Sequence, residues 1–383
     1  KNELIEAFIA GAGECGVPRT DDFNGAVQEG AGYYQLTTWN GWRCSTAKAY
    51  LKPARRRANL SVQTGAQAAG LLIEGGRAVG VHYRQGGEMK TARCRAEVLL
   101  AAGAIQSPQL LQLSGLGPAA LLGRHGIPLV RDLPGVGENL QDHLQIRLIY
   151  ECSKPITTND ALNSWLGQAR LGLQWLVARS GPLAVGINQG GCFMRALPEA
   201  ATPDIQFHVA TLSADMAGGK VHPFSGFTMS VCQLRPESRG HIRIRSADPF
   251  EPPEMQPNYL ATELDRRTAV AGAQAARAIA AAPAMRGLIK REVKPGSEAG
   301  DDEALLEFCR DNGATIFHPT GTCRMGGDPM AVVDARLRVH GVGSLRVIDG
   351  SVMPTLVSGN TNAPIVAIAE KAVDMIREDA RLH

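Results

Sequence analysis

Two polar segments near the C-terminal end of the chain contain the residues best suited to chemistry. His318 precedes Pro319, and a proline disfavours the helical conformation for the residue before it. The imidazole is therefore expected on an extended or turn segment, where it can accept a proton near neutral pH. A histidine that only bonds a backbone carbonyl is the alternative, and the residues alone leave both interpretations open.

The second polar segment, residues 359–364, is predicted to open the last helix of the chain. Asn362 is suited to cap this helix, with Pro364 in its first turn. The free N–H groups and the positive end of a helix stabilise an anion, such as a reduced flavin ring. An ordinary capped helix without a ligand is the alternative.

Several other chemistries have no sequence signal. The chain contains no G-x-S-x-G nucleophile elbow, no H-E-x-x-H pair and no phosphate-binding P-loop. Its eight cysteines are scattered without a C-x-x-C pair, so no metal site is predicted. Residues 11–16 fit G-x-G-x-x-G, but a helical pattern precedes them and Pro18 follows, so a helix end and turn are predicted there.

Length and composition indicate a globular protein with more than one domain. A chain of 383 residues with 44% hydrophobic and 20% charged residues is too long for one small core. A net charge of +3 and the absence of long basic runs argue against nucleic acid as a partner. No apolar run is long enough for a transmembrane helix. The unpaired cysteines predict a cytoplasmic protein, with peripheral attachment at the inner membrane as the alternative.

The elements that must position His318 and Asn362 follow an α/β pattern. A buried strand over residues 97–102 leads through Gly103 into a helix, and a second buried strand covers residues 344–350. Between these parts, alternating patterns over 145–152, 204–212, 226–235 and 240–246 predict an antiparallel sheet. The prediction is an α/β domain formed by residues 1–150 and 317–383, with an inserted α+β substrate domain over 151–316.

Five segments, in matching order and spacing, resemble the glucose–methanol–choline (GMC) flavoprotein oxidoreductases. The resemblance covers essentially the whole chain and is greatest to the choline-dehydrogenase-like alcohol dehydrogenases and oxidases. The segments are Asn40-Gly41-Trp42-Arg43-Cys44-Ser45, residues 103–117, Gly135-Val136-Gly137-Glu138-Asn139-Leu140-Gln141-Asp142-His143, residues 317–326 around His318, and residues 347–364.

The resemblance implies FAD as the cofactor and the oxidation of an alcohol to an aldehyde, with hydride transfer to flavin N5. It makes His318 the catalytic base, Asn362 a second partner of the same oxygen, and Phe317 a pocket residue. The cofactor contacts that it implies are Ala68 at adenine, Asp349 and Gly350 near the ribityl–pyrophosphate, and Thr361, Asn362 and Ala363 at the flavin.

Two departures from the family pattern qualify this expectation. Family members open with a strand, G-x-G-x-x-G and an acidic residue for the ADP ribose, and the resemblance of this chain begins after that segment. An FAD-binding domain that is incomplete at its N-terminus is therefore expected, and this chain alone is expected to bind FAD poorly. Any covalent flavin attachment would lie in the absent segment.

The second departure concerns the substrate. Choline enzymes of the family place a glutamate against the trimethylammonium group, and the resemblance puts Gln189 at that position. A neutral amide supplies no countercharge, so a neutral primary alcohol is expected, with choline as the alternative. A hydroxynitrile lyase and a flavin-free chain are further alternatives. The electron acceptor, whether oxygen, a quinone or a dye, is left open.

Overall fold

The computed structural model describes residues 1–216 and 218–381 of the chain. Its α-helices are α1 Glu3–Glu14, α2 Lys52–Ala54, α3 Gly103–Leu113, α4 Ala119–Arg124, α5 Thr158–Leu162, α6 Trp165–Ala178, α7 Glu263–Ala281, α8 Pro283–Arg286, α9 Asp302–Asn312 and α10 Asn362–Arg381. Its strands are β1 Gly30–Tyr33, β2 Thr38–Trp39, β3 Trp42–Arg43, β4 Ala66–Glu74, β5 Arg77–Gln85, β6 Glu88–Arg93, β7 Val98–Leu100, β8 Leu116–Gly117, β9 Arg131–Asp132, β10 Leu144–Cys152, β11 Asn188–Met194, β12 Ile205–Ala210, β13 Gly226–Gln233, β14 His241–Arg243, β15 Glu254–Gln256, β16 Ile289–Lys294, β17 Ala314–Thr315 and β18 Leu345–Val347.

The chain divides into two compact units. Unit one contains Lys1–Val62, Leu144–Leu234 and Glu263–Ala314, and unit two contains Gln63–His143, Arg235–Thr262 and Thr315–His383. The predicted junctions at 150/151 and 316/317 lie close to two of these crossings. Residues 1–62, however, group with the antiparallel sheet rather than with the α/β part, because β1 pairs with β11 along its whole length.

Unit one is built on an antiparallel sheet with the strand order β1-β11-β12-β13-β10-β16. Every residue of β12 is buried, as are all but the last of β13. Strands covered on both faces carry continuous apolar runs instead of strict alternation. The predicted sheet strands over 145–152, 204–212 and 226–235 are confirmed as β10, β12 and β13.

The fourth predicted sheet strand has a different position. Residues 241–243 form β14, which pairs with β15 in unit two instead of joining the large sheet. The side chain of Gln112 holds this segment, because its amide donates to the Ile242 carbonyl and its oxygen accepts from the Ile244 N–H. A local alternating pattern specifies a strand, but it does not specify which sheet the strand joins.

Helix α1 explains why residues 11–16 match G-x-G-x-x-G outside a strand–turn–helix unit. The helix buries Leu4, Ile5 and Phe8 and continues through Gly11 and Gly13 to Glu14. Gly16 follows with φ of +88°, a left-handed conformation typical of helix C-termini. The prediction that residues 11–16 are a helix end and turn is confirmed.

Unit two combines small sheets around an apolar core. Strands β4, β5 and β6 form an antiparallel meander, and β7 pairs in parallel with β18. Helix α3 follows directly after β7, as the sequence predicts, and Gly103 is its first residue. The core residues include Leu71, Leu100, Leu111, Val333, Leu345 and Val347.

Candidate active site around His318

His318 lies on a segment that is hydrogen-bonded to the loop of residues 135–143. Gln141 and Thr320 exchange both backbone hydrogen bonds, at 3.1 and 2.9 Å, and the Ile316 N–H donates to the His143 carbonyl. Gly321 has φ of +90°, and a Cβ at this position would lie 2.5 Å from the Asn139 oxygen. Only glycine therefore allows the two segments to pair this closely.

The backbone just before His318 is held in a strained conformation. Phe317 has φ of +64°, which costs a bulky residue about 1–3 kcal/mol. Its N–H donates to Thr315 Oγ1, and that hydroxyl donates to Asp142. The N–H of His318 donates to the other oxygen of Asp142 at 2.9 Å. Hydrogen bonds on both sides of Phe317 thus fix the turn that orients His318.

The imidazole of His318 is buried and contacts polar groups at both ring nitrogens. Its Nδ1 lies 3.0 Å from Nδ1 of His143, and its Nε2 lies 3.4 Å from Nδ2 of Asn360. Burial lowers the pKa of His318, and the nearby Asp142 carboxylate opposes this shift in part. A histidine with a lowered pKa is neutral at pH 7 and can accept a proton there.

The asparagine that contacts His318 is Asn360, whereas the resemblance implies Asn362 as a partner of the substrate oxygen. Asn360 is at hydrogen-bond distance, whereas Asn362 and Ala363 are exposed in the first turn of α10. The Ile365 N–H bonds the carbonyl of Thr361, so Thr361 occupies the position before the helix and Asn362 is its first residue. The predicted cap at Asn362 is therefore one residue too late.

Asp349 has both carboxylate oxygens occupied by protein donors. Oδ2 accepts from the Gly103 N–H and the Ser107 hydroxyl, and Oδ1 accepts from the N–H and hydroxyl of Ser351. The side chain thereby connects the turn after β7 to the turn after β18. Any contact of this residue with a cofactor would have to use its backbone.

The residues around the turns that follow β7 and β18 fit a large polar cofactor. The carboxyl ends of the parallel strands β7 and β18 lie at one edge, the position where α/β sheets bind nucleotides. Helix α3 begins at the same edge, where the N–H of its first residue, Gly103, donates to Asp349. The buried Oγ1 of Thr320 has no hydrogen-bond partner among residues 1–216 and 218–381. Its methyl group lies 3.6 Å from the Cβ position of Gly350, the neighbouring residue predicted to bind FAD.

The remaining predicted residues lie on different elements. Ala68 is exposed on β4 beside an irregularity in its pairing with β5, and the Phe317 side chain is 75% exposed. Gln189 is half-buried on β11 in unit one, where its carbonyl accepts from the Tyr34 N–H. His318, Phe317, Asp349 and Gly350 all belong to unit two, together with the helix start at Asn362.

Five residues that contact His318 or its support were not assigned a role from sequence. They are Asp142, His143, Tyr259, Thr315 and Asn360. Asp142 and His143 end the loop motif of residues 135–143, so their polar character was visible there. Tyr259 carried no signal, because it lies in an irregular segment between β15 and α7.

Comparison with known proteins gives matches over both ends of the chain. Two family models, both described as GMC oxidoreductase, match residues 1–145 and 236–369. A choline dehydrogenase described as oxygen-dependent, from Serratia proteamaculans, is 45% identical over 380 residues, which is 98% of this chain and 68% of that protein. Its Escherichia coli counterpart is 45% identical over 379 residues, with the same coverage.

Solved structures agree with these matches. Pyridoxine 4-oxidase from Mesorbium loti is 30% identical with a TM-score of 0.85, covering 99% of this chain and 70% of that one. A formate oxidase with 24% identity superposes with a TM-score of 0.92 over 99% of this chain and 70% of its own, which shows a shared fold. Among the described residues, none of the helices is long and apolar enough to cross a membrane.

Proposed function

Because this chain belongs to the GMC oxidoreductase family, we propose that His318 is the proton acceptor in the FAD-dependent oxidation of a primary alcohol to an aldehyde. The family membership confirms the predicted enzyme class, its flavin cofactor and its action on alcohols. The observation that supports the role of His318 is its buried, neutral imidazole with an amide donor at Nε2.

The reaction separates one proton and one hydride from the alcohol. When bound, FAD supplies the acceptor for the hydride that leaves the hydroxyl-bearing carbon. The hydroxyl proton passes to Nε2 of His318 as the substrate oxygen takes the place of the Asn360 amide there, the carbon–oxygen bond becomes a carbonyl, and the ring becomes an imidazolium. Asp142, whose carboxylate bonds the backbone of His318, supplies a nearby negative charge to that imidazolium. We assign Asn362 and Asn360 as amide partners of the substrate oxygen.

The two units take different roles in this proposal. Unit two, which holds His318, Asp349 and Gly350, is assigned as the FAD-binding domain, with Ala68, Thr361 and Ala363 as further cofactor contacts. Unit one is assigned as the substrate domain, because Gln189 lies on its sheet. The eight free thiols support a reducing compartment for the protein.

The proposed substrate is a neutral primary alcohol. Gln189 stands where the resemblance places the glutamate of choline enzymes, and an uncharged amide cannot neutralise a quaternary ammonium. Choline is the second candidate, since the two curated relatives at 45% identity are named choline dehydrogenases. The two candidates differ in one charge, so one pair of matched substrates separates them.

We expect 3,3-dimethylbutan-1-ol, the uncharged isostere of choline, to reduce the flavin faster than choline does. The measurement is the loss of flavin absorbance under anaerobic conditions, with each alcohol added to the FAD-loaded protein. Gln189→Glu should shift the preference toward choline by about tenfold or more, since one desolvated charge pair contributes over 1.4 kcal/mol.

Gln189→Asn, which keeps the neutral amide, is the matched control and should leave the order of the two substrates unchanged. Faster reduction by choline in the unaltered protein would assign choline as the substrate instead. Cleavage of a cyanohydrin, together with unchanged flavin absorbance after addition of every alcohol, would indicate the lyase alternative.

A further inference from the structure

A single buried carboxylate connects the two histidines of the candidate site. Oδ1 of Asp142 accepts from the backbone N–H groups of His143 and His318, each at 2.9 Å. Oδ2 accepts from the hydroxyls of Tyr259 and Thr315, each at 2.5 Å. Burial, with Asp142 beside it, raises the pKa of Tyr259, so that hydroxyl stays protonated and donates. Four donors therefore hold one carboxylate between two segments far apart in sequence.

The hydrogen bonds determine which nitrogen of His318 carries the proton. Asn360 presents its amide nitrogen to Nε2 of His318, and an amide NH₂ group only donates. Nε2 must therefore be the unprotonated nitrogen of a neutral ring, and Nδ1 must carry the hydrogen. That Nδ1–H points to Nδ1 of His143, 3.0 Å away, which accepts it.

His143 can accept this hydrogen bond as a neutral ring whose Nδ1 carries no hydrogen. Its side chain is fully buried, and its ring stands at 80° to that of His318, with centroids 5.2 Å apart. A neutral ring orients the base without a direct ion pair at Nδ1. The carboxylate of Asp142 contacts the backbone of His318 instead of its ring.

We propose that His143 and Asp142 are positioning residues, which keep His318 in the Nδ1–H tautomer and so leave Nε2 unprotonated. This inference rests on the proposed role of His318 as the proton acceptor. Asp142 fixes where the two backbones lie, and His143 selects the nitrogen that stays unprotonated. Neither residue touches the reacting atoms. A structural role alone would stabilise the fold without selecting a tautomer.

The first test needs no substitution. The FAD-loaded protein is labelled with ¹⁵N-histidine, and the His318 ring resonances are assigned by comparison with a His318→Gln sample. We expect Nδ1 to resonate as a protonated, pyrrole-type nitrogen and Nε2 as an unprotonated, pyridine-type nitrogen at pH 7.5. A protonated Nε2 with an unprotonated Nδ1 would overturn the proposal.

The second test uses paired substitutions at His143. Asn places an amide oxygen near the position of Nδ1 and keeps an acceptor, whereas Leu fills the space without one. Anaerobic flavin reduction should fall about 10- to 100-fold in His143→Leu, a part of the 10²–10⁴-fold contribution of a positioned base, and recover to within about threefold in His143→Asn. His125→Leu, which changes a histidine at the end of α4, should leave the rate unchanged.

The outcomes separate this inference from the proposed function. If His318→Gln still reduces its flavin, the proton acceptor is misassigned and both ideas fail. If His318→Gln is inactive while His143→Leu reduces flavin at the normal rate with the same tautomer, only the positioning role fails. Equal losses of the flavin-reduction rate in His143→Asn and His143→Leu, with the Nδ1–H tautomer retained in both, would show that His143 acts only by packing.

Discussion

At the scale of single residues, the reactivity of His318 depends on what surrounds it more than on its identity. Desolvation favours the neutral ring, and the contacts at Nδ1 and Nε2 are the basis of the proposed tautomer. The sequence could indicate the histidine, because Pro319 and the following glycine loop mark an irregular segment. It could not indicate Asn360 over Asn362, since that choice depends on where α10 begins by one residue.

Replacing the base gives a direct prediction. His318→Ala should lower alcohol-dependent flavin reduction by about 10²–10⁴-fold or more while FAD stays bound. In the unaltered protein, the rate should be constant around pH 7 and fall only at acidic pH. The reason is that a protonated imidazole cannot accept a proton, and burial places this pKa below the ordinary value of 6.5.

Stopped-flow reduction across pH 5–9 measures both effects, with flavin absorbance as the control for bound cofactor. Near-normal reduction by His318→Ala would contradict the assignment. A decline centred above pH 6.5 would contradict the direction of the pKa shift.

At the scale of elements, the site depends on two irregular segments that pair with each other. The strand before Gly103 and the helix after it were predictable from apolar runs and turn residues, and they are present as β7 and α3. The pairing of residues 135–143 with 316–322 was not, because neither segment has a periodic pattern. Long-range backbone pairing between loops leaves no local signal in the sequence.

Gly321 gives a test of this pairing. Gly321→Ala combines a left-handed backbone with a Cβ only 2.5 Å from the Asn139 oxygen. Gly126→Ala is the matched control, because φ is +67° there and a Cβ would meet no atom within 4 Å. The control should cost about 1–2 kcal/mol for backbone strain alone. Gly321→Ala should cost about 1–3 kcal/mol more for the overlap.

Thermal unfolding of the two variants measures the difference, and flavin reduction reports the position of His318. Equal melting temperatures for the two variants would show that the segments can separate without cost. In that case the loop pairing would not be what fixes the base.

At the scale of the whole molecule, the five family segments predicted the enzyme class better than the sequence patterns predicted the division into units. The antiparallel sheet was visible in alternating patterns, but the membership of residues 1–62 in unit one was not. That membership depends on β1, four residues whose partner β11 lies far along the chain. A short edge strand contains too little pattern to reveal its sheet.

The thiols give a prediction for the folded molecule. Cys15 is exposed, Cys44 and Cys94 are half-buried, and the other five are buried. Burial raises the pKa of Cys152 to about 11 and that of Cys309 to about 12, so both remain unreactive thiols. Under native conditions, iodoacetamide should label Cys15 first and the buried thiols only after unfolding. Mass spectrometry of tryptic peptides identifies the order, and early labelling of Cys152 or Cys309 would contradict the predicted burial.

The proposed base, His318, and its supports all belong to one unit, with a consequence for how such an enzyme can diversify. Asp142, His143, Tyr259 and His318 are in unit two, although the strands of unit one separate them along the chain. Residues 144–234 and 263–314 can therefore be exchanged between relatives without altering any side chain that holds the base. On the proposed assignment of the two units, selection for a new alcohol can act on those segments while the proposed proton acceptor and its supports are inherited unchanged.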